Sequence, residues 1–419
     1  MIKRFLQDSF LYTIAGLLTK GIGFIMLPVY LAYLSKEEFG LFDYILTIGT
    51  FFSVIISMEV TQAVYRFVPE YKDDLNKQNQ YMASAFWFVM AAYVLVSVIV
   101  FSNVSRIEAL LFEGTSHASN LLQWTFLAYF AMSLLYITLI FQRAQFNSKG
   151  STVAACISAL LTAMLSWVAI AHFKLGVVGL LAGLAIGQLS VGLVNCLSLA
   201  SVFKYRPSLT RLKEMLAFSS PLVLSSLGVL TATLIDKVMI KEMMSLADLG
   251  EYGVAARFAS VLTLIMVGIQ SALAPLVYSN HQDPTTRTKL LQLLKGYVVL
   301  SLGGVAVLYF IAEPLILLLV GEGFERVYVL LPVLALAVVI QAGYAFFPGL
   351  NIYKKTAMLA ALNVFTGLVN IVLNYWLIPL YGLFGAASAT LVSSVLYFSL
   401  NALFSEKYYP IIFQKRKPS

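Results

Sequence analysis

The sequence predicts an all-α polytopic membrane protein, with about twelve transmembrane helices arranged as two six-helix lobes. Three observations carry this. Of 419 residues, 60% are hydrophobic and 11% charged, with a mean hydropathy of +0.86, whereas a soluble domain carries about 25% charged residues. The apolar residues fall into about twelve long stretches, each near the roughly 20 residues a helix needs to cross a bilayer. Lys and Arg alternate between the connections. Numbered from the N-terminus, the odd connections hold 20 of the 28 cations and the even ones hold 6, namely Lys36, Arg106, Lys174, Lys237, Lys241 and Arg326. Positive flanks stay in the cytoplasm, so the alternation implies an even number of crossings with both termini inside. The net charge of +8 then belongs to inner connections facing anionic headgroups, not to a nucleic-acid surface.

In chain order, the first lobe has spans at 9–34, 41–65, 81–101, 121–141, 151–173 and 177–203. The first follows Lys3 and Arg4 directly and is too long for the apolar core of a cleavable signal. The second returns to Arg66, Lys72 and Lys77, the fourth to Arg143 and Lys149, and the sixth to the basic, Pro207-containing connection at the chain midpoint. That connection sets the expected boundary, with lobes at 1–206 and 207–419. The second lobe has spans at 218–239, 252–278, 290–312, 330–350, 357–378 and 383–404. The runs are long and do not alternate with period two, which makes them helices rather than barrel strands. Acids favour the opposite side: Glu37, Glu38, Glu108, Glu113, Glu242, Asp248, Glu313, Glu322 and Glu325 lie in outer connections.

The lobes read as repeats. Leu34-Ser35-Lys36-Glu37-Glu38-Phe39-Gly40-Leu41-Phe42 matches the stretch from Met244 to Tyr252 at an offset of 210 residues. Leu175-Gly176-Val177-Val178-Gly179 matches Tyr381-Gly382-Leu383-Phe384-Gly385 at an offset of 206. Six spans per repeat preserve topology, so the repeat is parallel and the substrate path is expected between the lobes. Asp43, Thr47, Thr50, Ser53, Ser57 and Thr61 recur every three or four residues and form one polar stripe on the second span. The equivalent face of the eighth span carries Gly253, Arg257, Ser260, Thr263, Val267 and Ser271. Small hydroxyl residues also let helices pack closely in lipid. Two stripes at one repeat position, one of them charged, favour a water-filled cavity.

Lys20 and Arg257 are the two cations inside spans. Charge in the bilayer is costly and faces a cavity or a partner. Lys20 lies roughly 16 Å from the inner surface and Arg257 roughly 9 Å from the outer one at 1.5 Å per residue, so in a core of about 30 Å their depths nearly coincide. Thr13, Gly16, Lys20 and Gly23 share one face. Two cations at one depth suit a phosphate or pyrophosphate; structural pairing with Asp43 or Asp236 is the alternative. Substrate contact is therefore expected at Lys20, Arg257, Asp43, Thr47, Thr50 and Ser260. Glu59 lies about 160° round the helix from Asp43, shares a face with Gln62 and Arg66, and reads either as a polar cluster reaching Arg143 or as a gate or proton site. Asp236 and Lys237 end the seventh span, as an interfacial pair or a coupling-ion site. Glu59, Arg66 and Asp236 are the gating or coupling candidates.

No catalytic constellation stands out. There is no Walker A sequence. His117, His172 and His281 are scattered without metal-ligand spacing, and Cys156 and Cys196 sit within spans as small hydrophobes. No cofactor or metal is expected, and the chain does not read as an enzyme.

Leu34-Ser35-x-x-Glu38-Phe39-Gly40-Leu41-Phe42 resembles the Leu-Ser-x-x-Glu-Tyr-Gly-x-Tyr motif of Wzx-type polysaccharide (O-antigen) flippases. The stretch from Leu373 to Thr390 looks like that family's signature in its last two helices. Both mark the multidrug/oligosaccharidyl-lipid/polysaccharide exporter superfamily, which includes the MATE drug exporters and the lipid II flippase MurJ. The resemblance implies a MATE/MurJ-like fold, alternating access, and a substrate of undecaprenyl-pyrophosphate-linked oligosaccharide moved from the cytoplasmic to the periplasmic leaflet of the bacterial inner membrane for surface polysaccharide (O-antigen or capsule) synthesis. It implies cavity-lining roles for Lys20 and Arg257, with membrane lipids and a polysaccharide polymerase complex as further partners. A cation-coupled multidrug exporter is the alternative, and it would favour an acidic cavity.

Overall fold

The structure is a computed structural model that describes residues 2–71, 73–111, 118–280, 283–353 and 355–412. Among these the regular elements are helices. In order they are α1 (Ile2–Tyr33), α2 (Lys36–Ser57), α3 (Val60–Phe67), α4 (Leu75–Ser102), α5 (Val104–Leu111), α6 (Ala118–Ala144), α7 (Ser148–Ala171), α8 (Gly176–Ser198), α9 (Ala200–Phe203), α10 (Leu209–Met243), α11 (Leu246–Asn280), α12 (Pro284–Leu319), α13 (Glu325–Ala342), α14 (Gly349–Ile352) and α15 (Thr356–Tyr408). Nine are long and apolar enough to cross a membrane among the described residues, ten with α10 counted as a broken span. The crossing at Ala357–Tyr408 runs 52 residues, enough for two spans, and α11 adds a further 35-residue helix. The twelve expected spans are thus all present as helices, and the chain is a multi-pass membrane protein.

The outward faces show why. Leu318 is 82% exposed, Leu300 and Phe310 are 78%, and Leu197 is 77%. Large apolar side chains in such numbers are stable on a surface only when lipid solvates it.

The chain divides into two compact units, Met1–Leu227 and Gly228–Ser419, so the division falls inside α10. In the first unit, a core around Val60, Val64, Tyr81, Tyr93, Ile137 and Phe141 joins α3, α4 and α6. The start of α10 is fixed there by a polar knot. The Tyr81 hydroxyl donates to Glu214 Oε2 at 2.5 Å, and Arg211 Nη1 pairs with the same oxygen at 3.2 Å. On the other side of this unit α7 and α8 touch backbone to backbone: a Cβ on Gly183 would lie 2.4 Å from the Ser166 nitrogen. Close approach through small residues is how helices gain contact in lipid, where the hydrophobic effect gives little. Gln142 Nε2 donates to Asn195 Oδ1 at 3.1 Å and adds a buried polar tie between α6 and α8.

The second unit has its own core, with Leu273, Val277, Tyr297, Phe346, Phe347 and Tyr409. Arg326 on α13 clamps the start of α11, at 2.6 Å from Asp248 and 2.8 Å from the buried Glu251.

The repeat motifs prove to be paired structural devices. Ser35 caps α2 in a full capping box: its Oγ accepts from Glu38 N at 3.1 Å, and Ser35 N donates to Glu38 Oε2 at 2.9 Å. Ser245 caps α11 in a related way, its Oγ accepting from Asp248 N at 3.1 Å and donating to Asp248 Oδ2 at 2.5 Å. Gly176 opens α8 with φ 53°, and Gly382 breaks α15 with φ 58°. Only glycine holds that left-handed geometry without a Cβ penalty.

One departure concerns helix continuity. The second span, expected to be one helix, is broken at Met58 and Glu59, both left-handed with φ of 49° and 51°.

Candidate functional site

The polar stripe on α2 lies in the first unit. Asp43 is buried there. Thr47 Oγ1 donates to Asp43 O at 2.8 Å, Thr50 Oγ1 to Leu46 O at 2.7 Å, and Ser53 Oγ to Thr50 O at 2.8 Å. Each hydroxyl spends its proton on its own helix, and its oxygen remains an acceptor. The Tyr129 hydroxyl also donates to Leu46 O and lies 3.4 Å from Thr50 Oγ1, which pins α6 to α2. Lys20 is exposed on α1, one residue after Thr19, whose Oγ1 donates to Gly16 O at 3.2 Å.

Thr50, Ser53 and Ser57 line a cavity of about 390 Å³ inside this unit, together with Glu59, Thr61, Gln62, Ser133, Tyr136 and Gln188. The break at Met58 produces this. Counted as a continuous helix, Glu59 would point away from the stripe; two left-handed residues reset the rotation and bring it onto the same cavity as Thr50. Glu59 Oε1 accepts from Ser226 Oγ on α10 at 2.6 Å, while Arg143 Nε donates to Ser151 Oγ at 2.9 Å. Arg66 lies beyond, exposed, pairing with Glu70 at 2.8 Å.

The eighth-span stripe lies on α11 in the second unit. Arg257 is partly buried, Ser260 Oγ donates to Arg257 O at 2.7 Å, and Thr263 Oγ1 donates to Ser260 O. Asp236 on α10 is buried in the same unit. Its Oδ1 accepts from Asn374 Nδ2 at 2.5 Å and its Oδ2 from Thr390 Oγ1 at 3.3 Å; Asn374 also donates to Asn370 Oδ1 at 3.1 Å. Asn374 Oδ1 is buried with no hydrogen-bond partner among the described residues. Asp236 is therefore an interior group held by two α15 segments, not a residue snorkelling at the interface.

Asn370, Asn374, Thr390 and Gln188 were not expected at a site. Two asparagines at i, i+4 inside an apolar run are the signal that could have singled out the first pair. Among the described residues no group of three or more His, Cys, Asp or Glu could hold a metal ion.

Comparisons with known proteins agree on one superfamily. The profile of the family described as "Polysaccharide biosynthesis protein" matches residues 5–281, and that of the MatE family matches 221–376. The chain is 26% identical over 334 residues to the succinoglycan biosynthesis transport protein ExoT of Rhizobium meliloti (strain 1021); the match covers 76% of this chain and 63% of that relative's length. Two solved structures share the fold. The lipid II flippase MurJ, in an inward closed conformation, superposes with TM-score 0.77 at 18% identity, covering 96% of this chain and 88% of that one. An inward-facing MATE-family multidrug resistance transporter of the MOP superfamily gives 0.74 at 14% identity, covering 93% and 94%.

Proposed function

We infer the function from one premise: the chain belongs to the polysaccharide biosynthesis protein family and is a MOP-type flippase or transporter of polysaccharide biosynthesis. From there we propose that it carries undecaprenyl-pyrophosphate-linked oligosaccharide from the cytoplasmic to the outer leaflet of a bacterial inner membrane, with both termini cytoplasmic, for O-antigen or capsule synthesis. The observation that supports it is a pair of cations inside two of the spans read from the sequence, Lys20 on α1 in the first unit and Arg257 on α11 in the second, with the Ser260 and Thr263 hydroxyls following Arg257 along its helix. Cations within a span mark a polar path, and phosphate oxygens are the ligand they recognise. In this reading Lys20 and Arg257 hold the pyrophosphate, Asp43, Thr47, Thr50 and Ser260 line the path, and lobes at 1–206 and 207–419 rock to give alternating access. Asp236 and Arg66 serve coupling or gating, with a polymerase complex receiving the product. Asp236 suits coupling because a buried carboxylate beside an open amide oxygen can take up a proton or small cation.

The test is leaflet distribution. In cells lacking this chain, the lipid-linked oligosaccharide should accumulate unpolymerised and inaccessible to an outside glycosidase, and re-expression should restore access. Unchanged access without the chain would reject the reading. The MatE match over 221–376 keeps a second reading, a cation-coupled drug exporter. It expects altered susceptibility to organic cations and unchanged polysaccharide.

A further inference from the structure

We propose that the cavity beside the α2–α3 break is a carbohydrate subsite, one that takes a neutral or amino sugar of the cargo and rejects a uronic acid there. This rests on the flippase reading above and adds a selectivity that reading does not contain.

The cavity is a built feature. Its volume of about 390 Å³ falls in the roughly 300–1,000 Å³ range of small-molecule sites. Non-helical backbone at membrane depth persists only where protein or a water-filled cavity satisfies it. Met58 and Glu59 are non-helical backbone immediately after the Lys36–Ser57 span, inside the second span read from the sequence. In an unbroken helix the Met58 N–H would reach Val54 O; here it bonds to Ile55 O at 3.4 Å, and Gln62 N bonds to Glu59 O at 2.9 Å. Left-handed conformations at two consecutive non-glycine residues persist because the following turn is locked, with Val60, Ala63, Val64 and Val68 all 0% exposed. Strain held in place by a core, and opening onto a cavity, is the mark of a functional break.

The wall chemistry selects the ligand. Among the described residues lining it, Glu59 is the one charged side chain; around it stand the Ser53 and Ser57 hydroxyls, the Gln62 and Gln188 amides and the Tyr136 ring. Ser226 occupies one acceptor direction of Glu59, and a carboxylate offers about four. The wall is mostly apolar, with Val54, Val89, Met132 and Leu139 among its residues, and the carboxylate, two carboxamides and Tyr136 ring are set into it; that mixture matches a sugar, whose hydroxyls donate to the carboxylate and meet the amides while its C–H face lies against the ring and the aliphatic wall. The space exceeds what a bare cation fills. A uronic acid would set a second carboxylate against Glu59, a like-charge contact that excludes it. An amino sugar gains an ammonium–carboxylate hydrogen bond.

The experiment uses the full chain with Cys156→Ser and Cys196→Ser, carrying Ser57→Cys as reporter. Its labelling by a water-soluble maleimide is followed with glucose, glucosamine, glucuronate, sodium chloride or tetraethylammonium at tens-of-millimolar levels and matched ionic strength. Glucose and glucosamine should each slow labelling several-fold, glucosamine most, with glucuronate at the salt baseline. Adding Glu59→Gln should remove the glucosamine advantage and admit glucuronate. Equal protection by glucuronate, no protection by any sugar, protection by sodium or tetraethylammonium alone, or a cysteine that never reacts would each overturn the subsite. The flippase reading stands or falls separately on the leaflet assay, so a chain that passes that assay and fails protection loses the subsite alone.

Discussion

Asn374 Nδ2 and Asp236 Oδ1 lie 2.5 Å apart and join α15 to α10 inside the second unit. The bond holds a carboxylate where hydrocarbon would otherwise surround it, and it separates two roles. Asp236→Asn keeps the shape and removes the titrating group. If Asp236 couples an ion to transport, this variant should reach normal membrane abundance yet lose about tenfold or more of surface polysaccharide, a loss of about 1.4 kcal/mol or more in effective coupling. Asp236→Ala should behave differently: Asn374 and Thr390 lose their acceptor, at roughly 1–3 kcal/mol for buried groups left unsatisfied, and abundance should fall. Full polysaccharide from Asp236→Asn would leave Asp236 a purely structural role.

Gly176 and Gly382 should both resist alanine, but unequally. A positive φ is strained for an L-residue at both positions. At Gly176 the new Cβ would also meet Glu38 Oε1 at 2.4 Å, whereas at Gly382 it would meet Met244 Cε at 3.2 Å. Glu38 is committed to the Ser35 capping box, while a methionine end shifts readily. Gly176→Ala should therefore lower thermal stability in detergent more than Gly382→Ala. The reverse order would mean that the capping box yields more easily than the methionine.

Much of this architecture was legible in the sequence because the relevant signals are local or periodic. Apolar run length located the spans, and the serines at 35 and 245, matched only as a repeat, each proved to cap a helix. Gly176 and Gly382, matched by an offset alone, proved to share a positive φ. What stayed hidden is tertiary. Ser57-Met58-Glu59-Val60 contains neither Gly nor Pro, so nothing local announces the break; it is imposed by the packing of Val60 and Val64. Asp236 finds Asn374 and Thr390 across 138 and 154 residues, a separation at which single-sequence patterns carry no pairing information. Gln188 joins the cavity only through the packing of α8 beside α6.

Topology gives a prediction independent of any site. The excess of positive charge predicts that Lys149, Arg211 and Lys289 are cytoplasmic, along with Lys72 and Lys354, which lie outside the described residues. Single cysteines at these positions, in a background without Cys156 and Cys196, should label from outside only after permeabilisation. Strong labelling of any two in intact cells would overturn both the span count and the inside placement of the termini.

Arg257 and Lys20 carry the sharpest prediction. A guanidinium can grip two phosphate oxygens at once, whereas an ammonium acts as a point charge. A hydrogen bond to a charged group is worth roughly 1.5–3 kcal/mol, so Arg257→Ala should reduce surface polysaccharide by about 10- to 150-fold. Protein level should hold, since removing a charge from a span eases insertion. Arg257→Lys should recover part of the activity, and Lys20→Ala should be damaging in the same way. If these cations instead serve structure, each alanine variant would leave a buried carboxylate such as Asp43 or Asp236 poorly compensated, and abundance would fall together with activity. Measuring surface polysaccharide and membrane abundance side by side in a flippase-deleted strain separates the cases. Normal polysaccharide from Arg257→Ala at normal abundance would remove Arg257 from the substrate path.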